Sequence, residues 1–145
     1  MKFISTLIAL SALIVVSVRG QATSVGAPAA GTNIRLGKKF TVQIDRPNSI
    51  EGGTEVGLAI ALAACPGGTC PDPSGQLGYV LYAGQFSPTT HPMAQIYENF
   101  SVTAPSADAG LTTGPAQLAV VRLWLAGAGP APDVETHTVA LNMVN

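Results

Sequence analysis

The side chains able to do chemistry are few. His91 and His137 are the two histidines, Cys65 and Cys70 the two cysteines. The residue types of a Ser-His-Asp centre are present, but the Gly-x-Ser-x-Gly elbow that would mark one fold family of such enzymes is missing. Metal ligation calls for several donors at close spacing, whereas the histidines lie far apart and the acidic residues stand singly. Glycoside hydrolysis needs two carboxyl groups facing one cleft. The candidates, Glu51 with Glu55 and Asp133 with Glu135, fall at expected turns and strand ends, where solvated charge collects. These patterns point away from an enzyme and from any cofactor or metal, and each histidine reads as structural or solvent-facing.

The cysteines occur together in Cys65-Pro-Gly-Gly-Thr-Cys70. Redox pairs more usually have two intervening residues, and a zinc site would need further ligands nearby. In an oxidising compartment the simplest outcome is one short-range disulfide. Loop entropy for so small a ring contributes only about 2 kcal/mol, so its task is local. The compartment is set by residues 1–20, where Lys2 precedes an apolar segment from Phe3 to Val18 and Val18-Arg19-Gly20 offers a cleavage site. This is the order of a secretory signal peptide, and its apolar core is short for a membrane anchor. The expectation is a secreted, extracellular protein of residues 21–145, a single domain with no membrane span in its mature form.

Removal of Lys2 and Arg19 would leave five basic residues against eight acidic ones, a net charge of minus three. So weak a balance offers no electrostatic footprint for nucleic acid or an anionic membrane. Abundant Gly, Pro, Ala, Thr and Ser favour short strands and many turns.

The elements that would position any site follow from period-two alternation. Gln21 to Ile34 reads as a short edge strand broken at Pro28. Phe40 to Arg46 alternates Phe40, Val42 and Ile44 against polar residues. Thr54 to Ala64 places Val56, Leu58, Ile60 and Leu62 on one face and small residues on the other, with a helix as its rival reading. Leu77 to Tyr82, the segment of Phe100, Val102 and Ala104, Ala116 to Leu125, and Val134 to Val144 supply the rest. In Ala116 to Leu125, Leu118, Val120 and Trp124 should fill the core, with Arg122 breaking the pattern toward an edge or a partner. Some seven strands with Gly/Pro turns predict an all-β, immunoglobulin-like antiparallel sandwich.

Two features remain for recognition. Gln85 to Tyr97 carries Pro88 and Pro92 and lacks a sustained period, so it reads as a loop of about a dozen residues, long by ordinary standards. Gln85, Phe86, His91, Met93 and Tyr97 are its candidate contact residues, with the Gly127 to Asp133 loop beside it. Asn99-Phe100-Ser101 is an N-glycosylation sequon on a strand whose Asn99 should face solvent. A glycan-binding module is the alternative, resting on Tyr79, Tyr82, Tyr97 and Trp124 as stacking platforms. It is weakened because Tyr79 and Tyr82 would face opposite sides of a regular strand.

Several short patterns recur in a fixed order: Pro28-x-x-Gly31, Gly37-x-x-Phe40-Thr-Val42, Leu77-Gly-x-x-Leu-Tyr-x-Gly84, Asn99-Phe-Ser-Val-Thr-Ala-Pro105, Gly114-Pro-Ala-Gln-Leu118 and Leu125-Ala-Gly-Ala-Gly129. In these the chain resembles the fungal necrosis-inducing secreted effector family. The resemblance implies a secreted effector that suppresses plant immunity by binding receptor-associated kinases and can provoke cell death. It implies no particular contact residue.

Overall fold

Alternating apolar side chains build two sheets that share one interior. The computed structural model describes residues 22–48 and 52–145. The signal peptide expected at residues 1–20, and Glu51, lie outside the described residues. The strands are β1 (Ser24–Ala27), β2 (Asn33–Arg35), β3 (Lys39–Asp45), β4 (Gly53–Ala64), β5 (Tyr79–Gly84), β6 (Thr89–Thr90), β7 (Ile96–Thr103), β8 (Gly114–Ala126) and β9 (Ala131–Val144). One sheet has the order β1-β3-β7-β6 and the other β2-β9-β8-β4-β5. The result is the expected β-sandwich. Its pairings are antiparallel except for β2 beside β9, which is parallel.

Val42 and Ile44 of β3 and Phe100 and Val102 of β7 face Leu58, Ile60 and Leu62 of β4 and Leu118 and Val120 of β8. All are buried, as the alternation required. Thr54 to Ala64 is strand throughout, and its small face stacks Ala61 against Ala119 on the central strand β8. The expected disulfide joins Cys65 to Cys70. It closes a turn in which Gly67 and Gly68 take φ of 64° and 80°, a region side chains disfavour. That turn is tied to the sheet by Cys65 N–H donating to Pro115 O and by Gln117 Nε2 donating to the Pro71 carbonyl.

The structure redraws several sequence expectations. Of the segment expected as one edge strand from Gln21 to Ile34, the described residues, from 22 onward, form two strands in different sheets, β1 and β2, because the chain turns between Pro28, which has no N–H to donate, and Thr32, whose hydroxyl donates to Ala29 O. The strand expected over Leu77 to Tyr82 starts later, at Tyr79, and runs on to Gly84 as β5. Gly127 N–H donates to Gly52 O, and β9 begins by Ala131, so the loop expected to reach Asp133 is a tight turn. The long loop Gln85 to Tyr97 contains a hairpin, with Thr89 paired to Tyr97 and Thr90 to Ile96.

Candidate binding surface

The hairpin of β6 and β7 is joined by Pro92-Met93-Ala94, and His91 N–H donates to Gln95 O across its neck. Met93 and Ala94 hold φ of 62° and 57°, in the left-handed region that Gly or Asn would occupy at lower cost. Met93 is 87% exposed. The neck is stiffened by His91, whose ring stacks on Tyr97 at 3.6 Å between centroids and 7° between planes. Thr89 Oγ1 lies 3.2 Å from His91 Nε2. Beside the tip a groove of about 360 Å³ is lined by Ser24, Gln43, Asp45, Arg46, Asn48 and Gln95, among others. Gln43 Nε2 donates to Asp45 Oδ1 at 2.7 Å, fixing one wall. Side-chain amides, a carboxylate and a guanidinium give this groove both donors and acceptors, and among the described residues no aromatic ring lines it.

Beneath this end of the sandwich lies an ionic cluster. Arg122 shares parity with Leu118, Val120 and Trp124, so it points inward, and it is 2% exposed. Its Nε and Nη2 donate to the two oxygens of Glu55 at 2.7 and 2.5 Å, and Nη1 donates to Glu135 Oε1 at 3.0 Å. The guanidinium also lies 4.5 Å from the centroid of the Trp124 ring. Gly53 makes room for that indole, since a Cβ there would sit 2.6 Å from it. Arg46 connects the cluster to the hairpin: its guanidinium is 3.6 Å from Glu55, and its N–H donates to Ile96 O.

Glu135 Oε2 accepts from both the N–H and the hydroxyl of Thr23, at 2.9 and 2.7 Å. Because that hydroxyl has one proton and gives it to the carboxylate, His137 Nε2, 3.1 Å away, must itself carry a proton and donate to Thr23 Oγ1. Burial works against ionised Glu135, but the two Thr23 bonds, then Arg122 and His137, outweigh it and hold its carboxyl below the usual glutamate range. Burial likewise works against charged Arg122, and the bonds and charges of Glu55 and Glu135 overcome it, raising its pKa.

A sequence model of the Nis1 family matches residues 18–142, a span that takes in both sheets, the hairpin and the ionic cluster. The chain belongs to the Nis1 family. This is a fungal effector-type family, which agrees at that level with the resemblance drawn from the ordered motifs. No curated protein matches the chain.

Within this Nis1-family fold, the residues singled out in the sequence divide. Met93, His91 and Tyr97 come together at the hairpin, and Gln85 is exposed on the strap leading to it. Phe86 does not join them. It is 3% exposed and packs toward Phe100, because a large apolar ring next to the open edge of the interior is buried there rather than presented. Asn99 sits exposed on the outer face of β7, opposite Gln43. Tyr79 and Tyr82 share a face after all, since a register shift at Leu81 pairs them with Leu62 and Ile60. Neither is a free platform: their hydroxyls donate to the carbonyls of Ala109 and Gln85.

The cluster itself was not anticipated. Glu55 and Glu135 were expected to be solvated and Arg122 to point to an edge or partner, and all three meet inside instead. The parity of Arg122 with Leu118 and Val120 was the available signal. Glu55 had none, because it has the opposite parity to Leu58. A bulge at Val56 turns it inward and leaves Val56, expected in the core, half exposed.

Proposed function

We propose that this chain is a secreted, non-enzymatic effector that acts by binding a protein partner through the hairpin of residues 89–97 and the groove beside it. The observation that supports this reading most is Met93. A large apolar side chain is held almost fully in solvent, in a backbone conformation that costs about 1–2 kcal/mol for a residue with a Cβ, on a neck braced by the His91–Tyr97 stack. The turn imposes this conformation on Met93 and Ala94 alike, and a large exposed apolar residue there in place of Gly or Asn supports a contact role. A rigid apolar anchor rimmed by polar groups is the usual anatomy of a protein-binding hot spot. Family membership and the disulfide favour action outside the producing cell. By the resemblance, the partners are the kinases that accompany plant cell-surface immune receptors, and the outcome is suppressed immunity or cell death. The exposed setting of Asn99 supports its glycosylation in a secretory pathway.

The test exploits the strain. Met93→Gly removes the anchor and relaxes the turn, so it should raise stability by about 1 kcal/mol while weakening partner binding at least about tenfold. Binding is read by pull-down and titration against receptor-associated kinase domains, and stability by denaturation. Full binding by a stabilised Met93→Gly variant would remove the hairpin from the interface. The glycan-binding alternative has the polar groove as its support, and saturable, sugar-competed retention on insoluble glycans would favour it.

A further inference from the structure

Only Ala22 precedes Thr23 among the described residues, yet Thr23 is 3% exposed. Glu135 of β9 holds it there, through bonds from its backbone nitrogen and its hydroxyl to Oε2. The cations around the two buried carboxylates are unevenly shared. Glu55 faces both Arg122 and Arg46, whereas Glu135 faces Arg122 through Oε1 alone. Its Oε2 meets a neutral backbone donor, a hydroxyl and His137, and among the described residues no Lys or Arg reaches it. An ammonium at the position of the Thr23 nitrogen would keep the hydrogen bond and add the missing charge.

The sequence can supply that ammonium. Signal peptidase takes small residues at the first and third positions before its cut. Gly20-Gln21-Ala22 has them at both, while Val18-Arg19-Gly20, the site expected above, has the larger valine at the third.

We propose that the chain is cut between Ala22 and Thr23, and that the new α-ammonium of Thr23 is the cation of Glu135 Oε2. The inference rests on the secretory reading and moves the end of the signal peptide by two residues. Water adds across the amide at the peptidase: its oxygen stays on Ala22 as carboxylate, and the nitrogen leaves protonated on Thr23. That nitrogen already lies 2.9 Å from Oε2. Ala22 is half-buried, so its departure leaves the remaining ammonium protons facing water. Ala22 and Ser24 both line the groove beside the hairpin, so processing also ends that wall in a positive charge.

The full chain is expressed in a secreting fungal host, and the protein in the medium is freed of any N-glycan and weighed intact. Its mass should be that of residues 23–145 with one disulfide, and N-terminal sequencing should read Thr-Ser-Val. A chain beginning at Gln21, free or cyclised, would overturn the proposal and leave the signal peptide standing. One still beginning at Met1 would overturn both. The ion pair is tested on the same secreted chain. Nα-acetylation keeps the N–H donor and removes the charge, and it should lower the folding equilibrium constant about fivefold in chemical denaturation. In a Glu135→Gln variant the free and acetylated forms should be equally stable. An acetylated chain as stable as the free one, or a difference that persists in E135Q, would overturn the pairing with Glu135.

Discussion

The two ends of the space between the sheets are built on the same strands and differ in chemistry. At one end Leu62 of β4 and Leu118 of β8 pair within an apolar core, and the Cys65–Cys70 loop closes over the strand ends. At the other, the inward positions of β4, β8 and β9 are Glu55, Arg122 and Glu135, and the closing contact is the pair of hydrogen bonds from Thr23. Alternation places a side chain inside without saying whether it is apolar. An inward charge survives only with partners, and here Arg122 is bonded by two carboxylates. The ionic end is the more brittle of the two, since each group depends on the others. It also underlies the proposed binding end, where Arg46 joins Glu55 to the hairpin.

Substitutions should separate the ends in a graded way. Arg122→Met is the largest break, because it leaves Glu55 and Glu135 close together and uncompensated. A loss of about 3–5 kcal/mol in chemical denaturation is expected. Adding Glu55→Leu and Glu135→Leu to it should recover most of that loss, and a triple variant as unstable as the single one would show that the ion pairs have a large net attraction.

Acid should act on the same end. Glu135 binds its proton more weakly in the folded state than in the unfolded chain, so the unfolded chain is protonated first as pH falls. Its contribution is complete above the ordinary glutamate value of 4.5 and is lost below it as pH passes through the lowered folded value. Glu135→Gln should flatten that part of the pH–stability curve.

At the apolar end Leu118→Ala should cost about 3 kcal/mol, by cavity formation, with little dependence on pH. Replacing both cysteines by alanine should cost about 2 kcal/mol in the same assay. Thr23→Val is the mildest change, removing the hydroxyl's bond to Glu135 and the one it accepts from His137 for a loss of about 1 kcal/mol.

How much of this was legible depended on whether the period of two held. Phe100, Val102, Leu118, Val120 and Trp124 were placed inside from their spacing alone, and the disulfide followed from two cysteines across a Gly-Gly turn. The failures sit where one extra residue breaks the count. Val56 displaces itself and turns Glu55 inward, and Leu81 brings Tyr79 and Tyr82 to one face. Bulges have no composition of their own, so no reading by parity could have found them. Phe86 failed differently, because a segment without periodicity gives no sign of where its one large ring is buried. Met93 was picked out only as part of that segment. Its positive φ, the property that makes it a candidate anchor, belongs to the hairpin and is not visible in the residue.

The parallel pairing of β2 with β9 bears on the molecule as a mechanical object. Asn33, Ile34 and Arg35 lie beside Asn142, Met143 and Val144, so the first strand of the large sheet and the last point the same way. Tension drawn between the two ends of the chain pulls these strands in opposite directions along their length. Their hydrogen bonds are then sheared together instead of being unzipped one at a time. Once β1, which precedes it in the chain, has come away from β3, this short pairing becomes a clasp that must shear as a unit before the sheet behind it opens.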